Sequence, residues 1–109
     1  MKIVNVDDVI TFDNGNYIRY YHYQDCCEYN YPDFEALDDI ALNYDYDENL
    51  IFEPVTDYGF CFGDSRQMFF VPCYSLQNGY YSSDVSIFYC NKQGNTLAEL
   101  TVLCEWVDF

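Results

Sequence analysis

Positive charge is the scarcest feature of this sequence: four Lys and Arg stand against 19 Asp and Glu, a formal net charge of −15. A surface so negative repels phosphate backbones and anionic lipid headgroups, which argues against direct binding of nucleic acid or of a membrane surface. The same scarcity argues against a phosphate site, since no glycine-rich loop is present and few cations remain to hold an anion. His22 is the single histidine. A serine triad would have to place it beside a serine and a carboxylate, and no glycine-flanked nucleophile elbow occurs. There is no CxxC pair, and no apolar run approaches the roughly 18 to 20 residues that cross a bilayer. The opening MKIVNVDDVI has neither the apolar centre nor the small-residue cleavage site of a secretory signal, so the expected location is cytoplasmic. Together these absences lead to the expectation of a protein that is not an enzyme and uses no cofactor.

What is present is material for a core. The chain has 109 residues, room for a single domain over residues 1–109. Half of the residues are hydrophobic and 21% are aromatic, with 13 Tyr and 9 Phe, far more apolar surface than a disordered acidic tail carries. Six cysteines in a short secreted chain would suggest three disulfides. Here Cys61, Cys73, Cys90 and Cys104 each lie in or beside an apolar, aromatic-rich stretch, where a free thiol behaves as a small buried hydrophobe. The reading is reduced core thiols, with a disulfide or metal and redox chemistry as the alternatives.

Local patterning describes a mostly β chain. Residues 3–13 and 17–23 are β-rich and are separated by Asn14-Gly15, the dipeptide that most readily adopts the positive φ angles of a tight hairpin. Residues 24–31 have no period and run into Pro32, so they read as a loop. A short helix is expected over residues 34–43, capped at or beside Asp33, with Phe34, Leu37, Ala41 and less centrally Ile40 on its apolar face. Residues 43–49 read as an acidic, Tyr-rich connection. Strands are expected over 50–53, 58–62, 66–76 and 80–90, with turns at Gly63-Asp64-Ser65, Asn78-Gly79 and residues 91–95. Pro72 suggests an edge or a bulge. In the last run Ala98, Leu100, Val102, Cys104 and Trp106 alternate with Glu99, Thr101 and Glu105. One face should be core and the other wet, with Leu103 hinting at partial cover of the wet side. The expected fold is α+β: one antiparallel sheet of about five to seven strands with one short acidic helix.

Charge is unevenly spread. Twelve acids and no Lys or Arg occur between Tyr20 and Ser65, a field that attracts cationic surfaces and speeds association with them. The alternative account is that acid merely keeps a Tyr- and Phe-rich domain soluble. Concentration of the acids around the helix and its flanking loops, with tyrosines interleaved, favours a binding face. The expected partner-binding set is Glu35, Asp38, Asp39, Asp45, Asp47 and Glu48, pairing with Lys and Arg, with Tyr44 and Tyr46 as anchors. Asp45, Asp47 and Asn49 match the opening of a calcium loop. The motif then fails, with Leu50 where glycine is required and Thr56 where the bidentate glutamate belongs, so it reads as an acidic loop. His22, Asp25, Cys26 and Cys27, beside Glu28, form the densest mixed cluster and are a weak alternative as a metal or thiol site, because adjacent cysteines rarely ligate one ion.

Tyr21-His22-Tyr23-Gln24-Asp25-Cys26-Cys27-Glu28, with Asn78-Gly79-Tyr80-Tyr81-Ser82 opening a later strand, resembles a family of small domains of phages and prophages that carry an H-x-QDCCE block and a distal NGYYS block. The resemblance spans residues 10–86. No function is established for that family, so it implies a phage or mobile-element setting and nothing about chemistry. In the expected fold the two blocks lie near one another at one end of the sheet, with Cys26, Cys27, Asn78 and Gly79 as a structural corner. Composition and resemblance together suggest a non-enzymatic, anti-CRISPR-like inhibitor. Its expected partner is a basic nucleic-acid-binding host protein, a nuclease or CRISPR effector, held by an acidic, Tyr-rich face that mimics nucleic acid. The competing readings are a small ligand- or metal-binding module and an accessory structural phage protein.

Overall fold

The computed structural model describes residues 1–23, 27–77, 79 and 81–108. The first β-rich run folds as two strands, β1 (Ile3–Val6) and β2 (Ile10–Phe12). An aspartate turn divides them: the Val9 N–H donates to Asp7 Oδ1 at 2.9 Å and the Asp7 N–H donates to the Val9 carbonyl at 3.1 Å. β2 then pairs with β3 (Tyr17–Tyr21) through the expected Asn14-Gly15 turn, closed by a Phe12 N–H to Asn16 carbonyl bond of 2.9 Å with Gly15 at φ +89°.

Seven more strands follow: β4 (Tyr29–Pro32), β5 (Ile51–Val55), β6 (Gly59–Gly63), β7 (Met68–Gln77), β8 (Asp84–Cys90), β9 (Thr96–Leu103) and β10 (Glu105–Asp108). They build two sheets, not the single sheet expected. One has the order β1-β2-β3-β8-β9; the other runs β10-β7-β6-β5, with β4 also on β7. Every pairing is antiparallel except that of β10 with β7. The domain is therefore mostly antiparallel β with little helix.

Two features divide the strands between sheets. Asn78-Gly79 does not make a hairpin, because β7 and β8 belong to different sheets; Asn78 itself lies outside the described residues. β7 has no free edge to offer β8. Alternate residues point to opposite edges: the Cys73 N–H reaches the Tyr58 carbonyl on the β6 side, while the Pro72 carbonyl accepts from the Asp33 N–H on the β4 side. Pro72 thus sits in a strand with neighbours on both edges, not at a sheet edge, and its missing N–H falls where the β4 ladder ends. The second feature is the last alternating run. β9 pairs with β8, the Cys104 N–H donates to the Ser83 carbonyl at 2.7 Å, and β10 then joins β7 in the other sheet. Val102 and Cys104 are buried as expected, whereas Trp106 is 55% and Leu103 45% exposed.

β4 was expected to be loop. Its alternation is inverted in chemical type: Asn30 and Pro32 are buried while Tyr29 is exposed, and a buried asparagine hides the period. The helix expected over 34–43 is two short pieces, a 3-10 turn (Phe34–Ala36) and the one-turn α1 (Asp39–Asn43). Leu37 breaks them apart in an extended conformation, and the cap is Asp38, whose Oδ1 accepts from the Ala41 N–H at 3.0 Å, not Asp33. Phe34, Leu37 and Ala41 are buried; Ile40 is 67% exposed.

The inner faces of both sheets meet in one core, Ile10, Phe12, Ile18, Val85, Ile87 and Val102 from the first against Phe60, Phe62, Phe69, Val71 and Cys73 from the second. Full burial of one such Ile, Val or Phe contributes about 1.5–3 kcal/mol. Cys73, Cys90 and Cys104 are buried free thiols, Cys61 is half-buried and Cys27 exposed. At Gly59, φ is +149° and an added Cβ would lie 2.1 Å from the Val71 carbonyl oxygen, so β6 approaches β7 more closely than a side chain allows. Gly59→Ala is expected to lower stability by more than about 2 kcal/mol in urea unfolding, with an unchanged m-value.

Candidate functional site

The acidic connection between α1 and β5 is organised by Asp64, at the β6–β7 turn. Asp64 Oδ1 accepts from the Tyr44 hydroxyl at 2.8 Å and from the Arg66 and Gln67 N–H groups at 2.9 and 3.2 Å. Its Oδ2 accepts from Arg66 Nη2 at 2.9 Å and from the Asp47 N–H at 3.3 Å. The Arg66 bond is the largest of the effects that hold this carboxyl well below the usual carboxylate range; burial opposes it. Arg66 also donates to the Asp45 carbonyl at 2.7 Å and lies 5.2 Å from the centre of the Tyr44 ring.

These bonds sort the expected partner-binding residues into two groups. Tyr46 is not an anchor. It is 2% exposed, its hydroxyl donates to the Ala41 carbonyl at 2.7 Å, and its ring packs against Phe12, Phe62 and Phe69. Burial, first of all, raises its hydroxyl above the ordinary tyrosine range. Tyr44 is half-buried with its hydroxyl committed to Asp64, and Asp38 is committed to capping α1. Asp45 faces the N-terminal ammonium at 3.0 Å, and this bond holds its carboxyl below the ordinary aspartate range. Asp47 Oδ1 accepts from the Asn49 N–H at 2.9 Å. Of the calcium-like oxygens, Asp47 Oδ1 thus serves its own loop and Asp45 Oδ1 the N-terminus. All six expected carboxylates, Glu35, Asp38, Asp39, Asp45, Asp47 and Glu48, are exposed at the surface, and Asp13, Asp45, Asp47 and Glu48 line an open hollow of about 640 Å³ with Lys2.

A second acidic hollow, of about 430 Å³, escaped the sequence reading: Asp7, Asp8, Asp33 and Glu35 surround Tyr29 and Tyr31. The Tyr29 and Tyr31 rings lie 4.9 Å apart, and Tyr31 continues to Tyr74 at 5.9 Å. The acids at 7–8 are distant in sequence from those at 33–35, and the tyrosine alternation becomes visible only once β4 is recognised as a strand.

The weak alternative site falls partly on Asp25 and Cys26, which lie outside the described residues. His22 Nε2 is 2.7 Å from Glu28 Oε1, and its Nδ1 is 3.5 Å from Asn30 Nδ2. Asn30 in turn donates to the Ser82 and Asp84 carbonyls, both at 2.9 Å, and accepts from Ser75 Oγ at 2.5 Å, which accepts from Gln77 Nε2 at 2.6 Å. Described residues of both sequence blocks meet here, since His22, Glu28 and Ser82 line one hollow. Among the described residues, no group of three or more His, Cys, Asp or Glu side chains is placed to hold a metal ion, and no helix is long and apolar enough to cross a membrane.

Compared with known proteins, the chain matches no family model, no curated protein and no solved structure.

Asp64 generates a pH prediction. A carboxylate with a depressed folded-state value contributes stability above its unfolded value, near pH 4, and loses it as the pH falls through the folded value. Acid unfolding of the wild type should therefore steepen below about pH 4. Asp64→Asn should be less stable at neutral pH and show a flatter acid limb, read from urea midpoints across the pH range.

Proposed function

We propose that the protein is a non-enzymatic inhibitor that binds the basic, nucleic-acid-contacting surface of a host defence protein, a nuclease or CRISPR effector, and excludes the nucleic acid by presenting carboxylates in place of phosphates. The observation that carries this reading is one-sided charge: twelve acids and no Lys or Arg between Tyr20 and Ser65 in a chain of net charge −15, with Glu35, Asp39, Asp47 and Glu48 exposed. Exposed carboxylates attract Lys and Arg over about 10 Å at 0.1 M salt, and the attraction weakens as salt rises. The phage or prophage setting suggested by the two sequence blocks gives such an inhibitor its target class. The second acidic hollow adds to this reading because the exposed Tyr29 ring lies there beside carboxylates, a combination that suits arginine.

The test is an affinity pull-down of the tagged protein from bacterial lysate at low and high salt, with mass spectrometry and competition by DNA or RNA. A retained nuclease or other nucleic-acid-binding protein, displaced by nucleic acid, is the expected outcome. Combined reversal of Glu35, Asp39 and Glu48 to Lys should then weaken capture at least about tenfold, the effect of 1.4 kcal/mol, while the protein still folds cooperatively. Undiminished capture by that variant overturns the charge-mimic reading. Asp38, Asp47 and Asp64 are left intact because each accepts a hydrogen bond that supports the fold.

A further inference from the structure

We propose that Cys73 and Cys104 are a thiol-modification site, a buried pair that closes to an intramolecular disulfide when the protein meets a small-molecule disulfide.

The placement comes from strand register. Glu105 in β10 is opposite Tyr74 in β7, so the residues before them, Cys104 and Cys73, lie side by side where the chain enters β10. Strands in a sheet lie about 4.7–4.9 Å apart, inside the roughly 4.4–6.8 Å separation of Cα atoms that a disulfide bridges. Both side chains belong to the single core cluster, at 0% and 3% exposure; the Cys73 thiol faces the Val71 carbonyl at 3.9 Å, and the neighbouring Cys104 thiol, with burial, holds it above the ordinary cysteine range. The other described cysteines are placed differently. Cys90 Sγ lies 3.9 Å from Thr96 Oγ1, Cys61 is half-buried opposite Glu53, and Cys27 is exposed.

Access is through β10. This strand has four residues, its Trp106 and Val107 are 55% and 37% exposed, and it adjoins Cys104 directly. Short outer strands of this kind open locally more readily than the core opens globally. In the opened state the Cys104 thiolate attacks one sulfur of the small disulfide, breaking its S–S bond and releasing one thiolate, which takes up a proton. The Cys73 thiolate then attacks the Cys104 sulfur of the mixed disulfide and releases the second small thiol. Two protein thiols are oxidised to one S–S bond and one small disulfide is reduced to two thiols. The new bond links β7 of one sheet to the segment that leaves β9 of the other, and so ties the two sheets covalently.

The experiment uses oxidised glutathione with the intact folded protein, followed by alkylation in denaturant and peptide mass mapping without reductant. The expected product has lost two hydrogens, shows a Cys73–Cys104 linked peptide, and melts on the order of 10 °C higher by the loop-closure effect; dithiothreitol reverses both changes. Cys104→Ser should yield neither the link nor the rise in melting temperature. The wild-type peptide map decides the matter even if that variant folds poorly. Glutathione on Cys27 with Cys73 and Cys104 still open to alkylation would overturn the proposal and leave the pair as ordinary core packing.

Discussion

One buried asparagine side chain joins the two halves of this domain. Asn30, 2% exposed in β4 of the second sheet, sends both amide hydrogens to the Ser82 and Asp84 carbonyls, where the chain enters β8 of the first sheet. Its oxygen accepts from Ser75, and Ser75 accepts from Gln77 on the same central strand. Apolar burial drives the sheets together without specifying how they slide past one another. Directional bonds between polar groups buried away from water do specify it, since leaving any one of them unmade costs about 1–3 kcal/mol. The crossover from β7 to β8 and the transfer of the chain from β9 to β10 both depend on that alignment.

A comparable division of labour governs the acidic surface. With a net charge of −15 the folded state works against its own repulsion, and some carboxylates offset this by satisfying backbone and side-chain donors. Asp64 gathers Tyr44, Asp47, Arg66 and Gln67; Asp38 closes the first turn of α1; Asp7 folds β1 onto β2. Exposure and structural duty overlap, since Asp7, Asp38 and Asp47 are exposed and still accept bonds within the fold; the proposed inhibitory contact rests on the exposed carboxylates. Tyr46 illustrates the same point from the apolar side: it lies in the acidic connection, yet its ring is the plug between Phe12, Phe62 and Phe69.

Much of the local structure was legible in the residues themselves. Asn14-Gly15 marked the β2–β3 turn, residues 91–95 marked the β8–β9 turn, and the burial of Phe34, Leu37 and Ala41 followed from their spacing. Of the expected binding set, the carboxylates of Glu35, Asp38, Asp39, Asp45, Asp47 and Glu48 are all exposed, Asp38 while capping α1, whereas Tyr46 is core. Sequence spacing reports which face of an element a residue occupies. It does not report which distant donor will claim a side-chain oxygen.

By itself, then, the sequence determined that the chain is β-rich, strongly acidic and turned at particular dipeptides, because these properties depend on single residues and their near neighbours. The tertiary structure alone decided that there are two sheets rather than one. It made the passage from β7 to β8 a crossover between sheets rather than a hairpin, because β6, β10 and β4 already occupy the edges of β7. It split a single alternating run at Cys104 between both sheets. Strand pairing is a competition among edges far apart in the chain, and only the assembled sheets contain the outcome.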